Sequence, residues 1–248
     1  FMARAIILLP AKNEESGIGE VIDRIPSEAI YSEGFDPEII VVDGNSEDST
    51  VEIARGMGSR IIIQNSGPGK GNGIRDALEE INMDEGKTDE DIVIMLDADA
   101  TYSPEDIPRF IDGLKVNEVV WGSRLRGKIE SGAMSATNKL GNRILSLSAT
   151  LLFFKKTTDL CTGFWGFKSQ AIKGLALTAD GFNLEADLFG SVSRSELKSI
   201  EIPINYDSRE GSSTLKWYVD GPRILMMIMK NTRDIGIKIL LSFVSILR

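Results

Sequence analysis

Short runs of apolar residues recur through the first half of the chain, each followed at once by polar or glycine positions. Ala5–Leu9, Glu38–Asp43, Ser59–Gln64, Asp91–Leu96 and Val116–Trp121 have the length and β-branched content of strands buried on both faces. Between them apolar residues fall at helical spacing. Ile18, Val21, Ile22 and Ile25 predict a helix over 17–25, and further helices are expected at Ser46–Met57, at 72–82 and from Pro104 through Leu114. This alternation predicts an α/β domain whose largely parallel sheet is covered by helices on both faces. Ligands of such sheets bind beyond the carboxyl ends of the strands.

The second half is less regular. Helices are expected at 137–154, 171–176 and Phe182–Ser193, a turn and strand at 158–168, and a strand at Ile200–Tyr206. Residues 217–247 read as one or two amphipathic helices. With no repeat and no linker, the chain reads as one domain over 1–214 with a helical appendage over 215–248. Ile235–Leu247 is too short for a transmembrane helix and contains Lys238. The sequence stops inside this apolar stretch, so an anchor beyond Arg248 stays open.

Composition narrows the chemistry. The 248 residues include no histidine and one cysteine, Cys161. Ser-His-Asp and Cys-His catalysis are excluded, and a Cys/His zinc site is disfavoured. Acid–base work must fall to carboxylates, Lys, Tyr or the substrate, and any metal site must be oxygen-rich, as Mg²⁺ or Mn²⁺ prefers. The formal charge of −9 is uneven: residues 121–156 carry +6 and residues 215–248 carry +4, leaving −19 on the remainder. Both basic stretches are also apolar. They read either as solvated helices or as a face directed at an anionic, apolar partner such as a membrane surface. The acidic remainder argues against nucleic acid.

The candidate chemistry lies at the ends of the predicted strands. Asp97-Ala98-Asp99 can converge two carboxylates on one hard cation, although an ordinary acidic turn has the same sequence. Residues 9–15 (LPAKNEE) and 41–46 (VVDGNS) read either as the rim of a nucleotide pocket or as helix-entry loops. The glycine-rich loop Gly67–Gly73 carries Lys70 but is not a P-loop, because no Ser or Thr follows the lysine. Arg209, after the last predicted strand, has the chemistry to clamp a phosphate.

In this order the motifs resemble the inverting family-two glycosyltransferases of GT-A fold. The closer likeness is to the polyprenyl-phosphate hexose synthases, the dolichyl-phosphate mannose and glucose synthase group. LPAKNEE (9–15), VVDGNSEDST (41–50), GKGNGIRDAL (69–78) and LDADATYSPEDI (96–107) carry the wider resemblance. WGSRLRG (121–127), residues 132–146, DLCTGFWGFK (159–168), FNLEADL (182–188) and IPINYDSREGSSTL (202–215) carry the closer one.

The resemblance implies a GT-A mixed sheet with helices on both faces and interfacial C-terminal helices. It implies hexose transfer from a GDP-mannose or UDP-glucose type of donor to a polyprenyl phosphate, with inversion, on the cytoplasmic face of a membrane. Pro10, Ala11, Asn13, Glu14, Asp43 and Lys70 would line the nucleotide pocket. Asp97 and Asp99 would hold Mg²⁺ or Mn²⁺ and, through it, the diphosphate. Arg124, Ser135 and Arg209 would approach the acceptor phosphate, and Glu185 and Asp187 stand where relatives carry a catalytic carboxylate. Thr101 replaces a Gln of some relatives. Asp43-Gly44 replaces two consecutive aspartates, which leaves the base of the donor open. The rivals are a same-fold transferase with a soluble acceptor, a sugar-nucleotide pyrophosphorylase, and a non-catalytic binding domain on this scaffold.

Overall fold

A computed structural model describes residues 2–208 and 220–232. Seven strands form one sheet: β1 (Ala3–Ala11), β2 (Phe35–Asp43), β3 (Arg60–Ile63), β4 (Ile92–Met95), β5 (Val119–Ser123), β6 (Trp165–Lys168) and β7 (Ser199–Pro203). Their order is β3-β2-β1-β4-β6-β5-β7. Neighbours are parallel except that β6 runs antiparallel to both β4 and β5. The strand pattern alone does not reveal this reversal. Trp165–Phe167 is buried whichever way it runs, and burial sets the apolar pattern. The sheet is therefore mixed.

Helices cover both faces. Alternate residues of β1 point to opposite sides, as a period of two requires. Ile6 and Leu8 enter a core completed by α4 (Lys70–Met83), α6 (Ala136–Phe153), α7 (Ser169–Ile172), α8 (Leu184–Arg194) and α9, a helix over 220–232. Ala5, Ile7 and Leu9 enter a second core under α1 (Ile18–Asp23), α2 (Ser27–Ser32), α3 (Thr50–Gly56) and α5 (Ile107–Val116). Ile224, Met227 and Ile228 anchor α9 in the first core.

Register brings the ligand ends together. Ala11 lies opposite Asp43, and Leu8 opposite Met95. The loops leaving β1, β2 and β4 therefore emerge side by side. Several elements differ from expectation. The helix after β2 starts at Thr50, because residues 46–49 are tied to the loop after β1. The helix after β3 starts inside the glycine-rich loop, at Lys70. Short α2 is an additional element.

The buried side of α6 mixes polar and apolar residues, while its outer side carries an apolar stripe. Asn142, Ser146, Ala149 and Phe153 are buried, while Leu140, Ile144, Leu147 and Leu151 are each 57–64% exposed. Their spacing of four, three and four makes one outward stripe. The inward face is held by polar bonds. Ser146 Oγ accepts the N–H of Leu160 at 2.9 Å, and Thr150 Oγ1 accepts that of Thr157 at 3.1 Å. Phe154, 84% exposed, ends the helix in a left-handed conformation.

Candidate active site

The first group of predicted residues forms a laced double loop. Asn13 accepts the N–H of Glu47 at 2.8 Å and its own N–H donates to Ser46 Oγ at 2.9 Å. The N–H of Glu14 donates to Thr50 Oγ1 at 2.8 Å, and that of Gly44 to the carbonyl of Ala11 at 2.8 Å. Asn13 and Asn45 both have positive φ, 55° and 62°, a region asparagine tolerates better than most residues. Asp43 is buried, and its carboxylate accepts the N–H of Ser46. Of the two readings of Asp43, the helix-entry role is taken by Asp48, whose Oδ1 accepts the N–H of Thr50 at 3.0 Å.

A charged triad occupies the end of β4. Lys70 Nζ donates to Asp97 Oδ1 at 2.5 Å and to Glu185 Oε1 at 2.7 Å. Three elements converge here: the first turn of α4, the second residue past the end of β4, and the first turn of α8. Close packing fixes the lysine's backbone. A side chain at Gly71 would place its Cβ 2.5 Å from the carbonyl oxygen of Ala179, and one at Gly69 would strike the Asp180 carbonyl. Only glycine admits this approach. A Cβ at Gly163 would likewise lie 2.6 Å from Asp97 Oδ2.

Burial works against the charge on Lys70, but the two carboxylates outweigh it and raise its pKa above the ordinary lysine value. Burial raises the pKa of Glu185, an effect that Lys70 opposes. The lysine therefore stays an ammonium at neutral pH.

A second ionic cluster lies beside the first. Asp159, fully buried, accepts the N–H of Arg124 at 2.8 Å, its Nε at 2.8 Å and its Nη2 at 2.7 Å. Asn142 Nδ2 adds a fourth bond at 2.6 Å. The guanidinium carbon lies 5.0 Å from the ring centroid of Tyr206 and 5.9 Å from that of Tyr102. Tyr102 in turn accepts the N–H of Gly163, the glycine that abuts Asp97. Asp99 Oδ1 accepts the hydroxyl of Thr101 at 2.6 Å, so Thr101 braces this carboxylate. Ala100 between them has φ 59°, a conformation that costs an alanine about 1 kcal/mol. The N–H of Asp207 on the Thr101 carbonyl, at 2.8 Å, helps hold the turn.

The structure thus gathers Pro10, Ala11, Asn13, Glu14, Asp43, Lys70, Asp97, Asp99 and Glu185 at one end of the sheet. Three other nominated residues are already engaged within the protein. Arg124, expected to approach the acceptor phosphate, is buried, bound to Asp159 and stacked on tyrosine. Asp187 is a strut. It is fully buried, and its oxygens accept the N–H groups of Thr178 (2.5 Å) and Ala179 (2.8 Å) and the side chain of Asn231 (3.1 Å). Ser135 is exposed and caps α6, accepting the N–H of Asn138. Arg209 and the helix expected past residue 232 lie outside the described residues.

Sequence reasoning did not assign Asp159, Gly163 or Asn231. The first two stand in the DLCTGF motif, so their signal was present without a role attached. Asn231 has only a positional signal, a polar residue on the buried register of an apolar helix.

Among the described residues, no group of three or more Asp, Glu or Cys gathers to enclose a metal. Asp97 and Asp99 offer an incomplete set of hard oxygens. That set fits Mg²⁺ or Mn²⁺, which take a few protein carboxylates and complete their shell with substrate oxygens and water.

Comparison with known proteins agrees with this fold. The glycosyltransferase AglJ of Haloferax volcanii is 31% identical over 84% of this chain, which spans 65% of that protein's length. The dolichyl-phosphate hexose transferase of the same organism is 30% identical, with 90% of this chain and 92% of that protein covered. Glucosyl-3-phosphoglycerate synthase from Mycobacterium tuberculosis, crystallised with Mn²⁺, UDP and glucosyl-3-phosphoglycerate, superposes with a TM-score of 0.71 at 21% identity. The match covers 93% of this chain and 80% of that one, and shows that the two share the GT-A fold. The family model described as Glycosyl transferase family 2 matches residues 6–175, more than two thirds of the sequence, and the chain belongs to that family.

Proposed function

We propose that this chain transfers a hexose from a nucleoside-diphosphate sugar to a polyprenyl (dolichyl) phosphate. The reaction uses Mg²⁺ or Mn²⁺ and inverts the anomeric carbon. The observation that carries the choice of acceptor is the outward apolar stripe of α6. A helix exposing Leu140, Ile144, Leu147 and Leu151 to water gains by meeting hydrocarbon, and Lys139, Arg143, Lys155 and Lys156 on or beside it suit anionic headgroups. The basic stretch 215–248 would share that surface, placing the protein peripherally at the cytoplasmic face of a membrane. Among the described residues no helix is long and apolar enough to cross a bilayer.

The site suits this chemistry. The nucleophile is a phosphate oxygen, already anionic at neutral pH, so it needs orientation more than a general base. That is consistent with a histidine-free chain. Pro10, Ala11, Asn13, Glu14 and Asp43 would hold the nucleoside, with GDP and UDP both admissible. Asp97 and Asp99 would hold the cation, which when bound offsets charge on the departing diphosphate. Lys70 and Glu185 would border the diphosphate and sugar. Arg124 acts as a positioning residue under the site, and Arg209 is the arginine proposed to hold acceptor phosphate.

The likeness to the Haloferax dolichyl-phosphate hexose transferase supports the lipid acceptor. The M. tuberculosis structure, with its phosphoglycerate product, favours the second reading, a soluble acceptor. That reading leaves the α6 stripe without a partner. A thermal-shift panel of GDP- and UDP-sugars tests the donor side. One donor should stabilise the protein, and only with Mn²⁺ present. No response to any nucleotide would count against the proposal.

A further inference from the structure

We infer that Lys70 is a built-in competitor for the divalent cation, so that the cation binds at Asp97 only together with the donor's diphosphate. This rests on the metal-dependent transfer proposed above and adds an order to it. The ammonium contacts Asp97 at 2.5 Å and Glu185 at 2.7 Å, and its side chain is only 12% exposed. It already neutralises the carboxylate that a cation would use. A divalent ion on either oxygen of Asp97 would sit within about 7 Å of Nζ. The Asp97 side chain is 31% exposed, but that separation lies inside the screening length of about 8 Å at physiological salt.

The lysine cannot withdraw as a whole. Its backbone is fixed by the close packing of Gly69 and Gly71 against Asp180 and Ala179. Only the side chain can move, and leaving both carboxylates without a new anion would strand a buried charge. An arriving diphosphate supplies that anion. Its oxygens can receive Lys70 while others complete the cation's shell, so each ligand removes the obstacle to the other. Coupling of this kind is reciprocal: the nucleotide tightens the cation by the factor that the cation tightens the nucleotide.

The test is direct Mn²⁺ binding at pH 7.5, read from the electron paramagnetic resonance of free Mn²⁺, without nucleotide and with UDP or GDP. Wild type should bind Mn²⁺ weakly alone and at least about tenfold more tightly with one of the nucleotides. Lys70→Met should bind Mn²⁺ alone at least about tenfold more tightly than wild type, with little further gain from nucleotide. Glu185→Gln, which leaves Lys70 to Asp97 alone, should weaken nucleotide-free binding. Opposite signs for two neighbours in one triad are not expected of general structural damage, and melting curves confirm that each variant is folded. If Lys70→Met does not fold, Glu185→Gln carries the test. Nucleotide-free binding no tighter in Lys70→Met, or tighter in Glu185→Gln, would overturn the role of Lys70 while leaving the proposed reaction standing. Wild type that takes up no Mn²⁺ with either nucleotide would sink both.

Discussion

Replacing Asp159 by Asn keeps the shape of the side chain and removes its charge. The carboxylate receives four hydrogen bonds, three from Arg124 and one from Asn142, spread over both oxygens. An amide has one acceptor oxygen, so its NH₂ must face donors whichever way it is turned. The guanidinium, itself buried, is left without a counter-ion. Breaking a buried pair in this way costs about 3–5 kcal/mol. For a chain of this size each kcal/mol moves the melting temperature by about 2–4 °C. The expected drop is therefore about 6–20 °C, a large share of a typical domain's stability of about 5–15 kcal/mol. Differential scanning calorimetry reads the temperature, and urea titration the free energy. Arg124→Met should cost a similar amount. The double variant should lose clearly less than the two single losses combined, because neither partner is then left alone. A loss under about 1 kcal/mol in Asp159→Asn would refute the buried-strut reading of Arg124.

Three further outcomes are expected. Asp97→Ala should abolish metal-dependent transfer while leaving the fold intact; turnover equal to wild type would remove Asp97 from the site. The pair Leu147→Glu and Leu151→Glu should weaken binding to vesicles containing anionic lipid by at least ~10-fold, since burying each leucine contributes about 1.5–3 kcal/mol; unchanged sedimentation with vesicles would discount the α6 stripe. At the opposite end of the sheet, Asp91 is buried and holds Arg4. Burial acts to raise its pKa, but the N–H groups of Arg4 and Thr88 and the Arg4 side chain outweigh it and hold the carboxyl below its ordinary 3.8. A depressed carboxyl stabilises the fold above its unfolded pKa, and that stability is lost as pH falls through the folded value. Asp91→Asn should therefore cost about 3 kcal/mol at pH 6, with the gap to wild type narrowing below pH 4. A gap that stayed constant with pH would contradict this assignment.

The strands and the ligand end of the sheet were legible because burial on two faces leaves continuous apolar runs that polar loops interrupt. Strand direction was not: β6 looks like its neighbours because burial is blind to polarity. Asp97, Lys70 and Glu185 could be nominated singly from their motifs. That one ammonium joins the other two across 27 and 115 residues is a tertiary fact that no local pattern encodes. Glu185 and Asp187 lie two residues apart on α8 and were indistinguishable as letters. A helix turns about 200° between them, which sends one carboxylate to the site and the other to the backbone of 178–179. The burial of Arg124 was hidden for a related reason: its partner Asp159 lies 35 residues away. The segment of α6 was visible as an apolar helix, but not which side faced inward. The bonds of Ser146 and Thr150 and the burial of Ala149 and Phe153 decide that.

The most direct test of the account is a transfer assay. A nucleotide sugar labelled in the hexose is mixed with the protein, Mn²⁺ and vesicles containing polyprenyl phosphate, and the label is partitioned between organic and aqueous phases. The label should enter the organic phase as an acid-labile phosphate ester, only with the cation present and not with Asp97→Ala. Label that stays aqueous with polyprenyl phosphate, yet moves to 3-phosphoglycerate when that is supplied, would contradict the lipid acceptor.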